Sequence, residues 1–113
     1  MPTLSFKAND LWIDGIRTSL PYPIVDVFVA GRIIIVQFDP DVRLKEFFNN
    51  VVGLDFSGRH LWTAELPPKT GTSADNYLAK AQSRSPVQFV SFSSFICTLD
   101  PRTGKIIRTE FTK

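Results

Sequence analysis

The residue types that most often carry chemistry are few in this sequence and form no known catalytic pattern. His60 is the only histidine among the 113 residues. Together with Asp55 and one of Ser91, Ser93 or Ser94, it could form a Ser-His-Asp arrangement. No nucleophile-elbow motif surrounds these serines, and a histidine beside a turn is usually exposed. We therefore predict no catalytic residue, and keep a small enzyme using His60 with nearby carboxylates as an alternative hypothesis.

Thiol and metal chemistry are not favoured either. Cys97 is the only cysteine and lies in an apolar segment (FICTL), where a lone buried thiol usually packs as a small hydrophobic side chain. The pairs Asp39/Asp41 and Asp10/Asp14 could bind a hard cation, but their loops lack the glycine and the closing glutamate of a calcium loop. We interpret these aspartates as turn-forming residues, and the sequence predicts neither a metal nor a cofactor.

The C-terminal segment combines basic and aromatic side chains. These residues are Arg102, Lys105, Arg108, Lys113 and Phe111. Such interleaving can bind single-stranded nucleic acid. Two acidic residues lie in the same stretch, the formal net charge of the chain is only +2, and edge strands carry lysine and arginine to prevent aggregation. Weak single-stranded nucleic-acid binding through this strand is therefore a further alternative, and we expect it not to be the main function.

Composition limits the class of protein. With 43% hydrophobic residues the chain is expected to fold, and its length fits a single domain over 1–113. No apolar run approaches the roughly 18 residues of a membrane helix. The first twenty residues lack the basic start and apolar stretch of a secretory signal, and one cysteine excludes an internal disulfide. These features predict a cytoplasmic protein without a membrane span.

The elements that must position these residues are expected to be β-strands. Eight prolines leave few stretches free to form a long helix, and the apolar residues between them alternate or cluster as in strands. The unbroken apolar run 33–36 indicates a central strand that is covered on both faces. The Asp14-Gly15 pair predicts an N-terminal hairpin over 10–18. Two further units are predicted, 24–66 with strands 24–29, 32–38, 50–56 and 59–66, and 76–112 with strands 76–82, 87–92, 95–99 and 105–111.

Two segments are less clear from their composition. Segment 42–48 (VRLKEFF) could form one or two helical turns with its leucine and phenylalanines on one side. Segment 76–82 contains alanine, leucine and lysine, which favour a helix that Ser73 could cap. An internal repeat favours a strand there, and we adopt the strand.

The internal repeat consists of short sequence segments that the two predicted units share. Val36-Gln37-Phe38 recurs as Val87-Gln88-Phe89, and Val52-Gly53-Leu54-Asp55 is echoed by Cys97-Thr98-Leu99-Asp100. In each unit the Leu-Asp pair leads into a turn that contains glycine and then into the last strand. A repeated unit of four strands with such a turn is typical of propeller blades.

The two turns carry a specific motif. Asp55, Gly58 and Trp62 follow the spacing Asp, two residues, Gly, three residues, Trp, and Asp100 and Gly104 lie in a second version, LDPRTGK. This pattern resembles the tryptophan-docking motif of pyrroloquinoline-quinone-type β-propeller blades. The aspartate can accept hydrogen bonds from N–H groups two residues on, and glycine fits a positive φ. The tryptophan offers a large apolar surface that would fix the hairpin to its neighbour, so we expect Trp62 to be mostly buried.

The sequence departs from that family in two respects. The position of the second tryptophan is occupied by Arg108, and a closed propeller needs at least about four blades. Quinone binding and dehydrogenase activity, which belong to complete propellers, are therefore not carried over. We expect an all-β, antiparallel meander with two four-stranded blade-like sheets after the N-terminal hairpin.

The function expected from these features is binding rather than catalysis. The phenylalanines are more numerous than one small core is expected to bury, and such a surplus is commonly an interface. The candidates are Phe47, Phe48, Phe56, Phe92, Phe95 and Phe111. We predict a small interaction protein, for example an inhibitor or immunity-type partner of another protein. Open strand edges and the phenylalanine surplus further predict a two-fold homodimer.

Overall fold

The chain forms an all-β structure of antiparallel strands. A computed structural model describes residues 1–41, 49–66, 77–78, 80–92 and 94–111, and these ranges contain no helix and therefore none that could cross a bilayer. The strands are β1 (Leu4–Lys7), β2 (Asp10–Ile13), β3 (Ile16–Ser19), β4 (Ile24–Ala30), β5 (Ile33–Phe38), β6 (Val51–Leu54), β7 (His60–Thr63), β8 (Ser83–Arg84), β9 (Val87–Val90), β10 (Phe95–Leu99) and β11 (Ile106–Phe111). The predicted fold class is confirmed.

The strands form three sheets, each a meander in which consecutive strands pair. Sheet 1 has the order β1-β2-β3, sheet 2 the order β4-β5-β6-β7, and sheet 3 the order β11-β10-β9-β8. Sheets 2 and 3 are the two predicted four-stranded units. The predicted hairpin over 10–18 is present as β2 and β3, and the sequence analysis missed β1, which pairs Leu4 with Ile13 and Lys7 with Asp10.

The predicted strand over 76–82 is wrong in position. The paired residues of β8 are Ser83 and Arg84, and Tyr77 forms only an isolated bridge to Ser91. Lys80 has a φ of +69°, which interrupts an extended run between these two points. Positions 76 and 79 lie outside the described residues, as does segment 42–48, for which the sequence analysis considers one or two helical turns.

Two apolar clusters hold the sheets together. The cluster between sheets 1 and 2 contains Leu11, Ile13, Ile24, Ile34, Val36, Phe38, Val52 and Leu54. The cluster between sheets 2 and 3 contains Phe28, Ile35, Val51, Trp62, Ala64, Tyr77, Val87, Phe89, Cys97 and Leu99. Alternate residues of β5 therefore enter different clusters, which confirms that the unbroken apolar run marks a strand covered on both faces.

Strand pairing corrects the register of the internal repeat. Val52 and Cys97 occupy equivalent positions, since each lies three residues before the aspartate of its motif turn. Val36 lies opposite Val52, and Phe89 lies opposite Cys97. The predicted Val-Gln-Phe match is therefore wrong by two residues, while the match of the Leu-Asp pairs agrees with the turns. Side chains alternate along a strand with a period of two, so a shift of two residues keeps every side chain on its face.

Candidate functional site

The first motif turn is held by its aspartate. The Asp55 carboxylate accepts hydrogen bonds from the N–H groups of Ser57 and Arg59, both at 2.9 Å, and from the Ser57 hydroxyl at 2.7 Å. These hydrogen bonds, led by the Ser57 hydroxyl, lower the pKa of Asp55 from its ordinary value. Gly58 adopts a φ of +88°, which favours glycine. The Asp55 carboxylate is therefore engaged in hydrogen bonds that stabilise the turn.

The second turn repeats the arrangement with a different partner. The Asp100 carboxylate accepts a hydrogen bond from the Arg102 N–H at 2.9 Å and contacts the Arg102 guanidinium at 3.3 Å. These contacts lower the pKa of Asp100 and raise that of Arg102. Gly104 closes the turn with a φ of +73°. The second aspartate thus has the same structural role.

Trp62 joins sheet 2 to sheet 3. Its indole Nε1 donates a hydrogen bond of 2.9 Å to the carbonyl of Pro101, in the second turn. A Cβ atom added to Gly104 would lie 2.3 Å from Cε3 of Trp62, and one added to Gly53 would lie 2.2 Å from Cε2. The ring is therefore enclosed between its cross-strand neighbour and the next turn, and it is only 7% exposed. The prediction that Trp62 is mostly buried is confirmed.

A smaller contact of the same kind joins sheet 1 to sheet 2. A Cβ atom added to Gly58 would lie 2.8 Å from Oγ1 of Thr18, on β3, and 3.5 Å from Cδ1 of Ile13. Thr18 thus stands over the glycine of the next turn as Trp62 stands over Gly104. The outer strand of one sheet contacts the turn of the following sheet in both cases.

A buried polar clasp also joins sheets 2 and 3. The Asn50 side chain is fully buried, donates to the Tyr77 carbonyl at 2.8 Å and accepts from the Tyr77 N–H at 3.0 Å. Gln37, also fully buried, donates to the Leu78 carbonyl at 2.6 Å and accepts from the Lys80 N–H at 2.7 Å. These amides satisfy backbone groups of Tyr77, Leu78 and Lys80, which lie outside the named strands. The sequence analysis missed both residues, and a polar residue at the end of an apolar strand is a weak signal for them.

The residues considered for catalysis are not brought together. The ring of His60 is exposed, and its Nε2 lies 2.9 Å from Oγ1 of Thr63. Cys97 is fully buried in the cluster between sheets 2 and 3. The Ser91 hydroxyl accepts a hydrogen bond from the Phe95 N–H at 3.1 Å. Ser93, one of the candidate nucleophiles, lies outside the described residues.

The aspartates considered as cation ligands contact nearby backbone or hydroxyl groups. Asp39 accepts from the Asp41 N–H at 2.9 Å, and Asp14 accepts from the Thr3 N–H at 2.8 Å. The Asp10 carboxylate accepts from the Ser19 hydroxyl at 2.9 Å. Over the part of the chain that the structure describes, no three histidine, cysteine, aspartate or glutamate residues gather in a metal-binding group.

The basic C-terminal strand contains its own counter-charges. The guanidinium of Arg102 pairs with Asp100, and that of Arg108 pairs with Glu110. Lys105 is exposed after the second turn, and Lys113 lies outside the described residues. Arg102 and Arg108 are therefore each paired with an acidic residue of the same C-terminal segment.

Exposed large apolar side chains occur on all three sheets of the described part of the chain, and three of the most exposed lie on sheet 3 and its turns. Phe92 is 66% exposed, Ile107 65% and Phe111 58%, and the rings of Phe95 and Phe111 lie 5.2 Å apart. Phe56 is 40% exposed on the first motif turn, whereas the predicted candidates Phe47 and Phe48 lie outside the described residues. Exposed apolar side chains of this size are common in interaction surfaces.

A shallow groove of about 340 Å³ lies where sheets 2 and 3 meet. Its walls include Val29, Gly31, Arg84, Pro86, Leu99 and Ile107. The Arg84 guanidinium lies 5.0 Å from the centre of the Phe28 ring and contacts Asp26 at 3.0 Å. The guanidinium of Arg84 in the groove wall is thus already paired with a carboxylate.

These features define a class of protein, an all-β chain of successive antiparallel sheets. A side chain from the last strand of one sheet packs against the glycine in a turn of the next sheet. A family model described as "Domain of unknown function (DUF7957)" matches residues 1–111, and the chain belongs to this family. No curated protein matches the chain.

Among solved structures, the crystal structure of the computationally designed Ika8 protein is similar to this chain. Its TM-score is 0.55 at 17% sequence identity, and the match covers 95% of this chain but 35% of the designed chain. The chain therefore spans about a third of the length of the structure that it matches. At this identity the likeness concerns the fold alone.

Proposed function

We propose that this protein is a non-catalytic protein-interaction module that acts as a homodimer. The proposal rests on a contrast between the chemically reactive side chains and the apolar side chains in the described part of the chain. The aspartates of the two motif turns are engaged in local hydrogen bonds, and the lone thiol is buried. Phe92, Ile107 and Phe111 are in contrast each more than half exposed. Exposed apolar side chains of this size are favoured at interfaces.

The role that we propose for the dimer is binding of another protein, as an inhibitor or immunity-type protein does. The alternatives have less support. His60 contacts Thr63 rather than a carboxylate, and Arg102 and Arg108 are paired with acidic residues. We further propose a cytoplasmic location, because a lone cysteine such as Cys97 fits a reducing compartment.

We also propose that sheets 2 and 3 are related to propeller blades of the quinone type. The support is the position of Trp62 over Gly104 and the repeated aspartate turn. The proposal concerns the architecture only. It assigns no quinone and no dehydrogenase activity to this chain.

Light scattering of the purified protein at micromolar concentration tests the homodimer. The expected mass is twice 12.7 kDa, falling towards 12.7 kDa on dilution. A species that stays at 12.7 kDa on concentration would refute the homodimer.

A further inference from the structure

The outer strand of sheet 3 has an unpaired edge in the part of the chain that the structure describes. β11 pairs with β10 on one side and ends the strand order of its sheet. It is six residues long, whereas the corresponding outer strands β3 and β7 have four residues each. All residues from Ile107 to Phe111 are exposed. Among the last strands of the three sheets, β11 is therefore the longest edge on which another strand could add.

The hydrogen bonds of β10 show which backbone groups of β11 face this edge. Both backbone groups of Phe95 face β9, because its carbonyl accepts from the Ser91 N–H at 2.8 Å and its N–H donates to the Ser91 hydroxyl. Directions alternate along a strand, so Ile96 faces β11 and bonds to its partner Glu110. The N–H and carbonyl of Thr109 therefore point away from β10, to the open edge.

The start of this edge is already covered by sheet 2. The Glu65 carboxylate accepts a hydrogen bond from the Ile106 N–H at 2.8 Å, and the Glu65 N–H donates to the Gly104 carbonyl at 3.0 Å. A strand that adds to β11 must therefore pair with the part of β11 beyond Ile106.

That part of β11 is complementary to itself. We propose that the homodimer forms by antiparallel pairing of β11 with β11 of a second copy, with the two Thr109 residues opposite each other. This register places each Arg108 opposite Glu110 of the second copy and each Ile107 opposite Phe111 of the second copy. The pairing joins the two copies of sheet 3 into one eight-stranded sheet. The inference rests on the proposed homodimer and assigns its interface.

Each of these pairs is of a favourable type. Opposite charges, a β-branched residue opposite an aromatic one, and threonine opposite threonine all stabilise antiparallel pairing. Arg108 and Glu110 are accessible to a partner, with side chains that are 69% and 47% exposed. A two-fold axis requires that the contact of residue i with residue j be repeated as j with i, and the sequence Ile-Arg-Thr-Glu-Phe meets this condition around Thr109.

Charge reversal at the two positions provides a specific test. In the proposed register, position 108 of one copy faces position 110 of the other. Arg108→Glu therefore places glutamate opposite glutamate at both contacts, and Glu110→Arg places arginine opposite arginine. Each variant alone is expected to dimerise about tenfold or more weakly than the unmodified protein, because like charges directly opposite each other are destabilising. An equimolar mixture of the two variants restores opposite charges at both positions. The mixture is expected to form a heterodimer with near-original affinity, measured by native mass spectrometry.

The double variant Arg108→Glu/Glu110→Arg is the matched control, because it exchanges the charges while keeping them complementary. It is expected to recover the homodimer. If both single variants dimerise as well as the unmodified protein, the β11 interface is wrong while the homodimer stands. If the unmodified protein is a monomer at all concentrations, the homodimer itself is wrong.

A thiol cross-link tests the register. Thr109→Cys with a short bis-maleimide linker is expected to give a covalent dimer, since opposite Cα atoms lie about 5.5 Å apart in a hydrogen-bonded antiparallel pair. Thr63→Cys, exposed on the outer strand of sheet 2, is the control and is expected to stay monomeric on the denaturing gel. Equal cross-linking of both variants would overturn the proposed register.

Discussion

The outer strands of sheets 2 and 3 occupy corresponding places but meet different surroundings. β7 carries Trp62, which pairs with Gly53 and is enclosed by Gly104 of the next sheet. β11 carries Arg108 at the corresponding position, and its cross-strand partner is Thr98. A threonine Cβ occupies space that an indole ring would need. The difference at these two facing positions therefore lets β7 pack its tryptophan against the next sheet, whereas β11 carries an exposed arginine at that place.

The interface between sheets 1 and 2 has no tryptophan at the place that Trp62 occupies between sheets 2 and 3. Thr18 stands over Gly58 there, and the apolar cluster that includes Leu11 and Ile34 fills the rest of the interface. Between sheets 2 and 3 one large side chain combines apolar burial with a hydrogen bond to Pro101. The second interface therefore contains a larger side chain over the glycine turn, in addition to its apolar cluster and the polar clasp.

The largest effect is expected from Trp62→Ala. Removal of a buried tryptophan leaves a cavity and should lower the free energy of unfolding by about 3–5 kcal/mol. His60→Ala, on the same strand but exposed, is the control and should cost less than about 1 kcal/mol. Urea or guanidinium denaturation of both variants measures the difference. Equal costs would show that Trp62 does not hold the sheets together.

Gly53→Ala tests whether the Trp62 ring requires a residue without a Cβ atom at position 53. The added Cβ would overlap the ring, and such overpacking should cost about 1–3 kcal/mol. In the Trp62→Ala background the same substitution should be nearly neutral, because the ring is absent. A cost that is unchanged in that background would mean that Gly53 is required for another reason.

Asn50→Ala should open the polar clasp between the two sheets. Its removal leaves the buried N–H and carbonyl of Tyr77 without these hydrogen bonds, which should cost about 1–3 kcal/mol. Asn49→Ala is a matched control, since Asn49 is exposed and donates one bond to the Ala64 carbonyl. The free energy of unfolding of both variants is compared. A larger cost at Asn49 would contradict the role of the clasp.

The two motif turns should make stability decrease in acid. The pKa values of Asp55 and Asp100 lie below the ordinary value of 3.8 in the folded protein. Their contribution is therefore present above pH about 4 and is lost as the pH falls through the folded-state values. Asp55→Asn/Asp100→Asn should show a flatter decline of the unfolding free energy between pH about 4 and 2. An unchanged slope would mean that other carboxylates cause the acid sensitivity.

Much of this difference between the strands could be predicted from the sequence. The alternation of apolar residues predicts the strands, and the Asp, Gly and Trp spacing predicts the docking turn. The substitution of Arg108 for the second tryptophan is visible as well. The clasp could not be predicted, because Gln37 and Asn50 act on the backbone of residues some 27 to 43 positions away. The position of β8 could not be predicted either, because the left-handed backbone of Lys80, which precedes it, has no sequence signal.

The most direct measurement is amide hydrogen exchange at Thr109 as a function of protein concentration, with Glu110 as the internal reference. The Glu110 N–H faces β10 and should be protected at every concentration at which the protein is folded. The Thr109 N–H faces the open edge, and it should be protected in concentrated solution and become unprotected on dilution. Free exchange at Thr109 in a sample whose mass is that of a dimer would contradict pairing through β11.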